Sequence, residues 1–280
     1  MKDIQIAVYY FPNYHADPRN EAVHGRGWTE WELVRSARPR FPGHRQPKVP
    51  LWGWEDEADP RVMARKIRAA SDFGIDAFLF DWYYYDDGPF LERALLEGFH
   101  GAPNCGELAY ALMWANHDWT DIHPLPADGS ARLLHRGAVT PESFERMTDY
   151  MIGTHFRHPS YWKIDGCPYF SIYEVYQLAA GLGGWENAAA ALGRFRSKVR
   201  KAGFPGLHLN AVLWGVQLLP GETAAGCPEE IVRRLRFDSV TSYVWVHHAR
   251  LDRFPRTGCR EVFEANRAYW EEAARKFGVP

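Results

Sequence analysis

The sequence predicts an α/β chain of TIM-type (β/α)-barrel architecture, with six strand–helix units visible and the ring incomplete. Three observations lead there. A short apolar run, a polar loop and an amphipathic stretch recur along the chain. The apolar runs are continuous rather than alternating, as in strands covered on both faces. Strands separated by crossover helices must run parallel, with right-handed connections. A barrel of this kind takes about 250 residues, so residues 1–280 read as one domain. Six units do not close an eight-stranded ring, and no seventh strand is visible before Pro280, so the domain reads as truncated at its C-terminus.

The first strand is expected over Ile4–Tyr10, followed by a Pro-, Trp- and Arg-rich loop from Pro12 to Ala58. Loops of that length in compact domains are usually functional. Asp59-Pro60 caps and starts a helix with Val62, Met63, Ile67, Ala70 and Phe73 as its apolar face, stopped by Gly74. The second strand is Ile75–Phe80, a helix follows over Pro89–Phe99, and the third strand is Leu108–Trp114. Thr140-Pro141-Glu142 opens the next helix, and the fourth strand is Pro168–Tyr173. A helix over Glu186–Lys201, a strand over Leu207–Trp214 and a helix over Pro228–Leu235 come next. The sixth strand, Ser239–Tyr243, and a last helix, Cys259–Phe277, complete the series.

Composition narrows the function. Thirty-three basic against 35 acidic residues leave a formal charge of −2, with no basic field for nucleic acid and no polybasic run for an anionic membrane. No stretch approaches the ~20 apolar residues of a membrane-spanning helix and the N-terminus has the wrong shape for a signal peptide, so a cytoplasmic location is expected. Cys105, Cys167, Cys227 and Cys259 are scattered, unlike a disulfide framework or zinc knuckle. His155/His158 and His247/His248 lack a third ligand at a recognisable spacing, and no Gly-rich phosphate loop follows any strand. No metal and no cofactor is therefore expected. Aromatic content is high, at 15% with 12 Trp. Flat apolar faces beside polar groups are what a sugar ring stacks on, so the expected partner is an oligo- or polysaccharide.

Barrel sites lie at the carboxyl ends of the strands. That rule selects Tyr10, Phe11, Asn13, Tyr14 and His15 after strand one, and Asp81, Trp82, Tyr83 and Tyr84 after strand two. Strand three offers Trp114, Asn116, His117, Asp118 and Trp119; strand four, Tyr173 and Glu174; strand five, Asn210 and Trp214; strand six, Tyr243 and Trp245. Asp81 and Asp118 follow apolar strands, where a charge needs a partner or a ligand. The alternative for each residue is an ordinary role, aromatics capping the core and polar groups serving loop backbone.

Several ordered blocks carry a resemblance. Tyr9-Tyr10-Phe11-Pro12-Asn13-Tyr14-His15 is followed by Gly27-Trp28-Thr29-Glu30-Trp31 and by Pro39-Arg40-Phe41-Pro42-Gly43-His44-Arg45-Gln46-Pro47. Then come Asp59-Pro60, Gly74-Ile75-Asp76-Ala77-Phe78, Trp114-Ala115-Asn116 and Trp119-Thr120. In this order they resemble the glycoside hydrolase family 99-like group, the WbsX-type proteins. The resemblance implies a (β/α)-barrel acting on carbohydrate: a glycosidase cleaving internal α-mannosidic bonds in surface polysaccharide metabolism. The alternatives are a glycosyltransferase of polysaccharide biosynthesis and a glycan-binding or inactive relic or fragment.

Two departures bear on the chemistry. Where the family usually reads Trp-Ala-Asn-Glu-Asn-Trp, this chain has His117 and Asp118 at the central positions. The late Asn-Glu-Trp-x-Glu-Gly motif, where the resemblance places the catalytic carboxylates, is absent. Glycoside hydrolysis ordinarily uses two carboxyl groups; the candidates left are Asp118, Glu174 and Asp81. Glu30 could fold over the site from the first loop, the alternative being an ion pair with Arg35 or Arg38. Stacking platforms are expected at Trp28, Trp31, Trp82 and Trp119. Open barrel edges predict self-association.

Overall fold

The computed structural model describes residues 4–123, 127–213, 228–253 and 256–280. In chain order its strands are β1 (Ala7–Tyr10), β2 (Ala77–Tyr85), β3 (Gly88–Phe90), β4 (Ala109–Trp114), β5 (Trp119–Asp121), β6 (Arg132–His135), β7 (Lys163–Ile164), β8 (Cys167–Ile172), β9 (His208–Val212) and β10 (Ser239–Thr241). Its α-helices are α1 (Pro18–His24), α2 (Trp31–Ser36), α3 (Pro60–Asp72), α4 (Pro141–Met151), α5 (Val175–Gly181), α6 (Trp185–Lys201), α7 (Pro228–Leu235) and α8 (Cys259–Phe277). The strands β1-β2-β4-β8-β9-β10 form one parallel, curled sheet. This is the expected incomplete barrel: six strands, with helices packed on the convex face.

Local chemistry explains the elements. The Asp59 side chain accepts the Arg61 amide and Pro60 holds the first turn of α3. Met63, Ile67 and Ala70 are buried on one face. Phe73, expected on that face, is 88% exposed, because it caps the helix just before Gly74 turns left-handed at φ +85°. Thr140 caps α4 through the Ser143 amide.

Two elements differ from expectation. The second strand does not stop at Phe80 but runs on to Tyr85, with all nine residues buried. It is held there by β3, which folds back antiparallel with Phe90 opposite Tyr83 and Gly88 opposite Tyr85. The helix expected over Pro89–Phe99 is therefore a short strand followed by a π-helical stretch, Ala94–Phe99. The long first loop is not bare coil: it contains α1 and α2.

Strand alternation then sorts the side chains. Phe78, Phe80, Trp82 and Tyr84 face the helices with Met63, Ile67 and Phe99 in the main core. Tyr83, Tyr85, Met113, Ala115, Tyr173 and Val212 fill the concave side in a separate cluster, with Tyr9 and Tyr243 packed against it. Beneath them a polar chain crosses the barrel floor. Ser171 Oγ and Thr241 Oγ1 both bond Asn210 Oδ1 (2.8 and 3.0 Å), and Tyr9 Oη bonds Thr241 Oγ1 (3.1 Å).

The first loop is clasped at its base. The buried Glu57 carboxylate accepts from Tyr10 Oη (2.5 Å), Lys66 Nζ (2.5 Å) and the Tyr14 amide (3.1 Å). Its own amide donates to the Tyr14 carbonyl (3.1 Å). Removing one partner of a buried ion pair costs about 3 kcal/mol or more, whereas an exposed pair such as Arg35–Glu32 is worth well under about 1 kcal/mol. Urea unfolding should therefore show Glu57→Ala destabilised by about 3 kcal/mol and Glu32→Ala almost unchanged; equal effects would show that the clasp does not hold the loop.

Candidate active site

Above the polar floor, the carboxyl ends of the strands gather a ring of aromatics. Tyr9 meets Tyr243 edge-on at 4.9 Å between ring centroids, and Tyr243 meets Tyr173 at 5.1 Å. His117 lies 5.9 Å from Tyr173 and stacks toward Trp119 at 6.2 Å. Trp119 sits edge-on to Tyr83 at 5.2 Å, and Phe11 to Tyr83 at 6.5 Å. The β5–β6 hairpin supplies Trp119 and closes one side, with His135 stacked on Tyr85 at 5.1 Å.

Asp81 stands inside this ring. It is 2% exposed; its Oδ2 accepts from Tyr243 Oη at 2.8 Å, and its Oδ1 is buried with no hydrogen-bond partner among the described residues. Burial pushes its pKa up to about 7, partly offset by the Tyr243 hydrogen bond. The Tyr83 phenol beside it is held protonated by burial first, then by the charge of Asp81 and more weakly by that of Glu30.

Glu30 reaches the same region from the loop. Its pKa is also pushed up to about 7 by burial. It pairs with neither arginine weighed for it: Arg35 binds Glu32 instead, and Glu30 Oε1 lies 3.4 Å from His123 Nε2. His123 tilts toward Trp28 at 5.7 Å, and Trp28 stacks on His24 at 4.3 Å. Trp28 is partly exposed and can still offer a face.

The other acids have backbone work. Asp118 is exposed, and its Oδ1 accepts the Gly137 amide at 2.8 Å. Glu174 is buried and caps α5 by accepting the Tyr176 amide at 3.2 Å. Asn116 clamps β4 to β8 by bonding both the amide and the carbonyl of Glu174, each at 2.7 Å.

Alternation removes four aromatics from the site, Tyr84 among them, which lies in the main core. Tyr10 points outward between Phe78 and Phe80. Trp82 is 2% exposed and donates to Glu92 Oε1 (2.7 Å) on the helix side. Trp114 is fully buried and donates to the Tyr84 carbonyl (3.1 Å). A one-residue step puts Tyr9, Tyr83 and Met113 on the concave face instead. Tyr14 and Trp31 stack on each other at 3.9 Å, and with Trp54 they form the loop's own small core. His15 is fully buried, its pKa lowered chiefly by burial. Trp245 lies off the ring against Phe263 at 5.9 Å, and Trp214 lies outside the described residues. Tyr9, Tyr85, His24 and His123 were missed; period-two counting from Asp81 and along β1 would have found the two tyrosines.

The paired histidines have structural partners. His155 bonds Glu92 Oε1 at 3.1 Å, and His248 bonds Ser242 Oγ at 2.7 Å while stacking on Tyr269. Among the described residues no group of three or more His, Cys, Asp or Glu could hold a metal ion, and no helix is long and apolar enough to cross a membrane.

The Glycosyltransferase WbsX family model matches residues 6–253. The chain belongs to that family. An uncharacterized protein WxcX of Xanthomonas campestris pv. campestris (strain B100) is 28% identical to this WbsX-family chain over 205 residues, which cover 73% of the chain but 28% of that protein. The chain thus spans little more than a quarter of that curated relative. Among solved structures, the family 99 endo-α-mannosidase of Bacteroides thetaiotaomicron in complex with bis-tris propane superposes with a TM-score of 0.56 at 15% identity, over 97% of this chain and 66% of that one. A glycoside hydrolase-like protein superposes at 0.55 with 15% identity, over 100% and 70%. These likenesses establish a glycosidase-type barrel fold.

A carboxyl whose folded pKa is raised stabilises the fold below its ordinary pKa near 3.8, and that contribution is lost as pH climbs through about 7. Asp81→Asn keeps an acceptor for Tyr243 without the charge. It should match the parent near pH 4 and exceed it at pH 8 by roughly 4 kcal/mol at most, read from urea midpoints; equal stability at both pH values would contradict a buried, titrating Asp81.

Proposed function

We propose that the chain is the glycan-gripping part of a carbohydrate-active protein that cleaves or builds glycans of mannose-like sugars, with Asp81 as the acid at the reacting bond. The observation that carries this reading is the Asp81 carboxyl: buried, without a partner at Oδ1 among the described residues, and set in the ring of Tyr9, Tyr83, Tyr173 and Tyr243. Pyranose faces suit the rings and sugar hydroxyls suit the carboxyl and phenols. A carboxyl still protonated near pH 7 can donate to a leaving glycosidic oxygen. Glu30, of similar pKa and held in the loop above, is the candidate second carboxylate.

A second reading is favoured by one observation. Asp118 and Glu174 serve backbone amides, which leaves Asp81 without a second strand-borne carboxylate among the described residues. That arrangement grips a glycan without cutting it.

Binding and turnover separate the two. Mannose oligosaccharides should bind at millimolar concentration by titration calorimetry. Tyr243→Phe should weaken binding about tenfold, the worth of one hydrogen bond to a charged or strongly polar partner. If Asp81 is the acid, kcat/KM on α-linked mannosides falls as pH rises through about 7; a fall on the acidic side instead makes it a base or nucleophile. Binding without turnover, unchanged by Asp81→Asn, supports the gripping reading, and no binding of any mannoside defeats both.

A further inference from the structure

The balance of charge over the whole chain, which gives no basic field, conceals an uneven distribution along it. From Leu33 to Trp54 the first loop carries Arg35, Arg38, Arg40, Arg45 and Lys48 without one Asp or Glu, which leaves 28 basic against 35 acidic residues elsewhere. Arg35 is taken up by Glu32 and lies over Trp54, 4.9 Å from the ring centroid. Arg38, Arg40, Arg45 and Lys48 are exposed, and among the described residues none of them forms an ion pair. Large apolar side chains are interleaved with them: Phe41 is 63%, Val49 69% and Leu51 97% exposed. A single exposed leucine needs no explanation. Three such residues in one short segment, set among four bases, mark an interaction surface.

We propose that this segment docks on an anionic lipid surface, its three apolar side chains entering the acyl boundary and its four bases meeting headgroup phosphates. The segment has a built shape. At its tip the Phe41 ring stacks on His44 at 4.5 Å, the His44 amide donates to the Phe41 carbonyl (3.1 Å), and His44 Nδ1 accepts the Arg40 amide (3.2 Å). Gln46 Oε1 accepts the Lys48 amide at 3.2 Å. At its stem Trp52 lies against Arg65 at 4.8 Å, and Trp54 meets Trp31 edge-on at 5.1 Å. His44, Gln46, Trp52 and Trp54 are thus used to hold the segment, and the bases and the three apolar residues are left to the outside. The aliphatic members decide the occupant. A soluble polyanion engages the bases but offers nothing to Val49 and Leu51, whereas headgroups lying over acyl chains take both kinds. A second copy of the segment fits less well, because a two-fold contact would set like charges against each other. Contact of this kind lies on the surface of a bilayer and uses no spanning helix. The segment belongs to the same loop as Trp28 and Glu30, so docking holds that wall of the cleft near the lipid.

The proposal does not depend on what the cleft binds, and flotation of the full chain with vesicles tests it. Vesicles of phosphatidylcholine containing phosphatidylserine should retain the chain, and pure phosphatidylcholine should hold it about tenfold or more less tightly. Each base near a charged surface is worth about fivefold in partition, so Arg40→Gln, Arg45→Gln and Lys48→Gln combined should cost about a hundredfold. Leu51→Ser should cost about tenfold on the anionic vesicles, a loss that a purely electrostatic contact does not show. Removing two exposed bases at the end of α6, Arg200→Gln with Lys201→Gln, should leave retention unchanged. All of these positions are exposed, and an unchanged Tm shows that each variant folds. The proposal is overturned if neither kind of vesicle retains the chain, or if the α6 pair weakens retention as much as the loop triple does. It is also overturned if Leu51→Ser binds anionic vesicles like the parent, which assigns the bases to a soluble polyanion. A dimer in light scattering that Leu51→Ser disperses, with no retention by vesicles, overturns it too and assigns the segment to a second copy.

Discussion

Glu57 is the contact on which the working end of this molecule depends. Its carboxylate joins the last residue of β1, a lysine of α3 and the backbone at Tyr14. Its carbonyl in turn lies against Gly98, where a Cβ would sit 2.1 Å away, so only glycine lets the π-helical stretch pack so close. The loop is thereby tied at both ends, near Tyr14 and at Glu57. Closing a long flexible loop costs entropy that grows slowly with its length, and one multiply bonded buried carboxylate can offset most of that. What the clasp secures is position: Trp28, Glu30 and the Tyr14–Trp31 stack all hang from it.

Strand order, parallel direction and most helix limits were legible in the sequence, because caps and apolar runs are local signals. Asp59-Pro60, Thr140-Pro141 and the run into Phe80 each announce an element from a few residues. The inward-facing set was less legible, because it depends on where a strand ends. Taking β2 to stop at Phe80 turned Asp81–Tyr85 into a loop whose residues could all face the site. The β3 hairpin makes them strand, and alternation then sends Trp82 and Tyr84 to the helices while Asp81, Tyr83 and Tyr85 stay inside. The same step on β1 exchanges Tyr10 for Tyr9. No composition argument could make that choice, since both faces are aromatic.

Carboxylates show a different limit. In the sequence Asp118 and Glu174 follow apolar runs as Asp81 does, and nothing in their neighbours distinguishes them. Their roles come from partners supplied by the fold, the Gly137 amide and the first turn of α5. Among the described residues Asp81 takes no backbone amide; it is buried with Tyr243 Oη as its donor, and burial pushes its pKa up. The raised pKa of Asp81 follows from that contrast rather than from any feature of its own sequence neighbourhood.

The cleft and the groove beside β10 share side chains, which ties the acid to the packing of that edge. Tyr9 and Tyr243 line the groove between β1 and β10, and Tyr243 is also the donor to Asp81. The Tyr9–Thr241–Asn210–Ser171 chain fixes the floor under both. Burial is the largest cause of the Asp81 shift. The donor that partly offsets the burial of Asp81 is thus a side chain of the groove at the sheet edge, so the protonation of the acid depends on how Tyr243 is packed there.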